Sequence, residues 1–257
     1  MAIENNSVPN VNYRSRFADV EYASPELLNP GNHALILIDH EGQMAFAMEG
    51  VNKTELRNNL ALLGYYTRLY DIPVILSTIG ERMFSGPIIK ELRDFYPDAV
   101  IYDRMSLNLW EDKPSRDAVI ATGKKKLVFA GLWTDVCLAF PVISALKAGY
   151  EVYFITDASG SVSKEAHDMA IQRMIQAGAI PMTSVTYISE NIRDYSRQDN
   201  ATPEVAKLMH EGFIKYISLG IGADYADYMV PSYGFFKGFP SASNTLESNE
   251  KLVPVQS

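Results

Sequence analysis

Cys137 is the single cysteine of the chain, and a thiol that loses its proton is among the strongest nucleophiles a protein can offer. It lies in the segment Gly131-Leu-Trp-Thr134-Asp-Val-Cys137, directly after the apolar run Leu127 to Ala130. Thr134 has the character of a helix N-cap. That would put Cys137 in the first turn, where unpaired N–H groups and the helix dipole favour a thiolate. Pro141, four residues on, cannot donate to the Cys137 carbonyl and predicts a bend. Two other residues end apolar runs in the same way: Asp39 closes Ala34 to Ile38, and Arg104 follows Ala99 to Tyr102. A carboxylate can take a thiol proton, and a guanidinium can favour the anions that form. Each residue also has a plainer reading. A lone cysteine packs as a small hydrophobe, a strand-end aspartate caps or faces water, and Arg104 can pair with Asp103 or Glu111 at the surface. Their joint placement is what points to chemistry.

The elements that must position them follow from periodicity. Six short apolar runs, Ala34–Ile38, Val74–Leu76, Ala99–Tyr102, Leu127–Ala130, Val152–Ile155 and Ile180–Met182, read as strands. Several lack polar alternation, as expected when both faces of a sheet are covered. Between them, 53–70 carries Leu56, Leu60, Leu63 and Tyr70 roughly on one helical face, and 164–177 does the same with Ala166, Ala170, Met174 and Ala177. Strands alternating with helices predict an α/β fold with a doubly wound, mainly parallel six-stranded sheet. Ligands of such sheets bind at the carboxyl ends of strands, where the strand order reverses, and Asp39, Arg104 and Cys137 all stand at carboxyl ends. Residues 1–31 read as an N-terminal arm, 32–200 as the α/β domain, and 201–257 as a helix followed by an aromatic-rich tail. The tail's Tyr225, Tyr228, Tyr233, Phe235, Phe236 and Phe239 predict packing on the core or on another subunit.

Composition narrows the function classes. With 23 Lys and Arg against 31 Asp and Glu, the formal charge of −8 offers no field for a phosphate backbone or an anionic membrane. No uninterrupted apolar stretch reaches the ~18 residues of a membrane span. A single cysteine excludes an intrachain disulfide and a Cys-rich zinc site, and a leader pattern is absent from the first residues, so a cytoplasmic setting is expected. His33, His40, His167 and His210 are dispersed without metal-ligand spacing. Gly220-Ile-Gly222 follows a helix rather than a strand, and Gly123-Lys-Lys-Lys lacks the spacing of a phosphate loop. Neither a nucleotide cofactor nor a metal is expected.

The segments Ile36-Leu-Ile-Asp39-His, Arg104-Met-Ser-Leu-Asn108-Leu-Trp110 and Ala130-Gly-Leu-Trp-Thr134-Asp-Val-Cys137-Leu-Ala-Phe140-Pro, with Asp157-Ala-Ser-Gly160 downstream, resemble the isochorismatase-like cysteine hydrolase superfamily in its YcaC-like branch. The similarity spans roughly residues 33 to 190. It implies a sheet of order 3-2-1-4-5-6, and an Asp, Lys, Cys triad that falls by position on Asp39, Arg104 and Cys137. It also implies a cis peptide, here Leu132–Trp133, an oxyanion hole from the amides of Trp133 and Cys137, and pocket residues Asn108, Trp110 and Trp133. By their place after the second strand, and apart from the resemblance, Thr78 and Glu81 would reach the rim. The metal cluster of the related nicotinamidases has no counterpart. The activity implied is hydrolysis of a small amide or related carbon–nitrogen substrate through a thioester, by a homo-oligomer. Arginine departs from the usual lysine, since a guanidinium offers charge and forked hydrogen bonds but does not relay protons. That departure, with the bulk of Trp133, keeps open a ligand-binding or assembly protein without chemistry. Isochorismate-type vinyl ether hydrolysis, which needs no thiol, is a third alternative.

Overall fold

The computed structural model describes residues 23–193. The C-terminal helix and aromatic tail expected at 201–257, and most of the N-terminal arm, lie outside the described residues. Six parallel strands, β1 (His33–Ile38), β2 (Val74–Ile79), β3 (Ile101–Arg104), β4 (Lys126–Gly131), β5 (Glu151–Ile155) and β6 (Ile180–Met182), form one sheet of order β3-β2-β1-β4-β5-β6. The predicted topology is the observed one. Strand boundaries move by a residue or a few: β3 starts at Ile101 and takes in Arg104 as its last residue.

Strand side chains alternate between two separate cores, as the pleat requires. Leu35 and Leu37 of β1, Leu76 of β2 and Val128 and Ala130 of β4 pack with Leu56, Leu60, Leu63 and Tyr66 of α2 (Lys53–Leu69) and with Tyr187 and Ile188. Ala34, Ile36 and Ile38, with Leu127 and Phe129, pack on the other face against Val119, Val142, Ala145 and Met174. The first face carries α1 (Gly42–Phe46), α2, α3 (Lys90–Phe95) and α7 (Ser184–Ile192). The second carries α4 (Lys113–Ala121), α5 (Ala139–Lys147) and α6 (Lys164–Ala177). β1 is buried along its whole length, which explains its run of apolar residues.

Sequence-local signals set the helix boundaries. Asn52 caps α2 by accepting from Thr54 and Glu55 N–H groups, and Ser163 caps α6 through Ala166 N–H. Gly178 ends α6 in the left-handed conformation, with φ 105°. The described part of the N-terminal arm is anchored to the domain. Leu28 is fully buried, its N–H donates to Glu190 Oε2 at 2.8 Å, and its carbonyl accepts from Arg193 Nη2 at 2.7 Å. Among the described residues no helix is long and apolar enough to cross a membrane.

Candidate active site

The strand order reverses between β1 and β4, which pair in register from His33 with Lys126 to Ile38 with Gly131. Their ends therefore emerge side by side. Gly131 permits this approach, because a Cβ there would lie 3.1 Å from both the Ile38 Cβ and its carbonyl oxygen. Beyond the strands the chain turns sharply. Asp39 adopts φ 57°, a left-handed conformation that aspartate tolerates better than most residues, and its N–H is held by Ser77 O at 2.9 Å.

Arg104 stands on β3, two strands away from β1, a separation of about 9–10 Å at normal strand spacing. Its long side chain spans that gap. Nη2 donates to Asp39 Oδ2 at 2.8 Å, with both side chains wholly shielded from solvent. The surface-pairing reading of Arg104 thus fails. The backbone is fixed as well, since Arg104 O accepts from Gly80 N–H at 3.0 Å. Nε and Nη1 of Arg104, and Asp39 Oδ1, are buried without hydrogen-bond partners.

Cys137 is buried at 1% exposure, and its side chain is in interaction range of both Asp39 and Arg104. The three residues singled out in the sequence therefore meet. The local backbone differs from expectation in three ways. First, the Leu132–Trp133 peptide is trans. Leu132 N–H bonds Ile38 O at 3.0 Å and the residue bridges to Gly160, so the chain stays extended until Trp133 turns it with φ 57° and ψ 69°. Second, Thr134 is not a capping residue. Its hydroxyl pairs with His167 Nδ1 at 2.8 Å, and Trp133 occupies the cap position of a π turn spanning Thr134–Leu138. Third, this π turn absorbs Pro141. The Ala139 N–H reaches back five residues to Thr134 O, so α5 starts afresh at Ala139 and the proline falls in its first turn, where a missing N–H is tolerated.

The amide of Cys137 is also committed, donating to Trp133 O at 3.0 Å. It is not a free oxyanion donor. Trp133 packs its side chain against the first-face core, while Cys137 belongs to the second-face core. Asn108 has every amide atom engaged: Oδ1 accepts from Trp110 N–H, and Nδ2 donates to Glu111 Oε1 and Ser144 Oγ. Trp110 meets Tyr150 edge-to-face at 5.4 Å. Both residues brace the segment following Arg104 against α5 and its flank. Thr78 Oγ1 and Glu81 N–H both donate to Asp103 Oδ1 and so tie β2 to β3.

Electrostatics revise the expected thiolate. Burial pushes the Cys137 thiol well above its ordinary value, the negative charge of Asp39 adds to this, and Arg104 opposes it only in part. The resting sulfur is a thiol. Burial also raises the Asp39 carboxyl to about 6 against the pull of Arg104, so at neutral pH it is a carboxylate facing a thiol. That is the arrangement of a general base with its substrate proton.

Sequence reasoning missed three supports. His40 Nε2 pairs with Ala158 O at 2.9 Å, and burial holds the ring neutral, lowering it to about 4. The Ser159 hydroxyl accepts from Gly131 N–H at 3.1 Å, and Gly160 O from Thr134 N–H at 3.1 Å. Segment 158–160 therefore holds both the Asp39 turn and the Cys137 turn. The third is Glu41, fully buried two residues after Asp39. Among the described residues no group of three or more His, Cys, Asp or Glu side chains is placed to hold a metal ion.

A buried acid, guanidinium and thiol thus meet at the carboxyl ends of a 3-2-1-4-5-6 sheet, which defines the protein as doubly wound α/β. The isochorismatase domain model matches residues 33–186, and the chain belongs to that family. It is 35% identical over 169 residues to the probable hydrolase YcaC of Escherichia coli (strain K12), covering 65% of this chain and 81% of that protein. The fold superimposes on YcaC from Pseudomonas aeruginosa, seen with hexane-2,5-diol and covalent acrylamide, with a TM-score of 0.71 and 31% identity over 80% of this chain and 98% of that one. The crystal structure of the Escherichia coli YcaC gene product gives the same TM-score at 32% identity, covering 80% and 95%, and is described as an octameric hydrolase of unknown specificity.

Proposed function

We propose that this protein is a cysteine-dependent hydrolase of a small amide or related carbon–nitrogen substrate. The observation that carries the reading is the shielded Asp39–Arg104 pair set against the Cys137 thiol. Asp39 takes the thiol proton as sulfur forms its bond to the carbonyl carbon. The charge on the carbonyl oxygen falls to the Trp133 amide and to the Nε and Nη1 groups of Arg104, two buried donors with no partner at rest. Asp39 then passes its proton to the leaving nitrogen, the C–N bond breaks, and an amine departs from a thioester. Water attacks the thioester carbon, giving a proton to Asp39. Collapse releases the carboxylic acid, and the sulfur recovers its proton. Asn108 and Trp110 hold the loop that shapes the pocket, with Trp133 bordering it.

Oligomerisation belongs to the same proposal. YcaC of Escherichia coli is described as octameric, and we infer a homo-oligomer here, working in a reducing cytoplasm that keeps Cys137 free. A panel of small amides, with product followed by mass spectrometry, tests the activity. Turnover with a trapped acyl adduct on Cys137, lost in Cys137→Ala, is the expected result; turnover by Cys137→Ala overturns covalent catalysis. One observation favours the second reading, a ligand-binding protein without chemistry: Cys137 is only 1% exposed. Under that reading the thiol stays unmodified by acrylamide at every pH from 5 to 9.5.

A further inference from the structure

Asp39 is not the only buried carboxyl group near Arg104. Arg104 is committed to Asp39 through Nη2 alone. Glu41 is equally hidden from solvent and firmly held: its N–H donates to Asp39 O at 2.8 Å, the residue bridges to Ile88, and its Oε2 accepts from Ile79 N–H at 3.0 Å. Its other oxygen, Oε1, is buried with no hydrogen-bond partner. The charged groups acting on Glu41 are Asp39 from its own segment and Asp103 and Arg104 from β3; β2 offers it the Ile79 amide. Two buried carboxyl groups, Asp39 and Glu41, thus lie within electrostatic reach of one guanidinium, with the exposed Asp103 adding its charge. A carboxylate beside Asp39 with no counter-ion of its own would be costly to bury, and a neutral acid costs less.

We propose that Glu41 is a positioning residue for the hydrolytic site, a neutral carboxylic acid that leaves Arg104 to Asp39 and whose loss of a proton turns the site off. The inference rests on Asp39 acting as the base for Cys137. An arginine does not surrender a proton, so the carboxyl groups must set the charge balance. With Glu41 neutral, Arg104 and Asp39 cancel, and Asp39 is free to accept the thiol proton. When Glu41 gives its proton to solvent, its charge competes with Asp39 for the field of Arg104. Its charge also opposes every anion the reaction forms. Burial, aided by Asp39 and Asp103, holds the Glu41 proton up to about 8, consistent with a neutral acid at physiological pH.

The test is the initial rate of acrylamide addition to Cys137 in the full-length protein, read by intact mass from pH 5 to 9.5. The wild-type rate is expected to rise through about pH 6 and to fall above 8, dropping about tenfold from its plateau by pH 9. Glu41→Gln keeps the neutral shape and cannot ionise, so its ratio of rates at pH 9 and pH 7 should stay near one. A wild-type bell that Glu41→Gln leaves unchanged, or a wild type without an alkaline limb, overturns the inference alone. Rates indifferent to Asp39→Asn, or no addition in any variant, overturn the hydrolase reading and the inference with it. Infrared difference spectra of the wild type between pH 7 and 9.5 give a check that needs no variant of Glu41. Loss of a buried carboxylic acid band supports the proposal, and an unchanged band region refutes it.

Discussion

Replacing Asp39 by Asn keeps the side-chain shape and removes its charge, leaving the Arg104 guanidinium buried without its hydrogen-bonded counter-ion. The two groups sit 2.8 Å apart with no solvent exposure on either side chain. Removing one partner of such a pair costs about 3–5 kcal/mol, chiefly through the uncompensated charge that remains. Arg104→Met inverts the problem, and the orphaned carboxylate limits its own cost by taking up a proton, so about 3 kcal/mol is expected there. The double variant strands no charge. Its loss should fall short of the sum of the singles by about 2–3 kcal/mol. Urea denaturation at pH 7.5 and fixed protomer concentration measures this, fixed because assembly shifts apparent stability. With a slope of about 2 kcal/mol per molar, Asp39→Asn should lower the midpoint by roughly 1.5 M or more. Single losses that add to the double within about 0.5 kcal/mol would show that the pair is not an electrostatic unit, and the argument for a charge-balanced site would collapse.

Three other outcomes follow from particular contacts. Gly64→Ala improves helix propensity yet should destabilise by about 1–3 kcal/mol in thermal melts, because its Cβ would lie 2.5 Å from the Phe95 ring. Asn108→Ala removes the cap on Trp110 N–H and the bonds to Glu111 and Ser144. Denaturation should show a loss of about 1–2 kcal/mol, and acrylamide addition to Cys137 should slow. The pH dependence of stability carries a sign for each buried group. Glu41 keeps its proton longer folded than unfolded, so its contribution is present below pH 4.5 and is lost as pH rises to about 8. His33 and His40, lowered to about 4, act oppositely, and the stability they contribute grows from about 4 to 6.5. Denaturation of the wild type and Glu41→Gln at matched pH isolates the first effect: the variant's stability relative to wild type should climb between pH 5 and 8.

The sheet was legible because its physics is local and periodic. Apolar runs without alternation announce strands covered on both sides, and β1, buried from His33 to Ile38, is the clearest case. Convergence of Asp39, Arg104 and Cys137 was also legible, since each stands at a carboxyl end and parallel topology collects those ends on one edge. Depth of burial was not. A thiol at the start of a helix reads as a thiolate, but Cys137 sits in a core built with other segments, Ile38 and Leu109 among them, and burial with the Asp39 charge raises its proton affinity. Thr134 looks like a cap because its type and position fit; His167, thirty-three residues on, takes its hydroxyl instead. Glu41 gave no signal, because a glutamate before a short helix normally faces water, and only the β1–β2 pairing that brings Ile79 alongside makes it a buried acid.

Removal of the Cys137 proton by Asp39 is the step on which the proposed hydrolysis turns. The most direct measurement compares acrylamide addition to Cys137 in the wild type and Asp39→Asn from pH 5 to 9.5. The account predicts a wild-type rise centred near pH 6 that vanishes in Asp39→Asn, whose addition slows by at least tenfold at pH 7. Identical profiles that climb only at the ordinary thiol value of about 8.5 would contradict it.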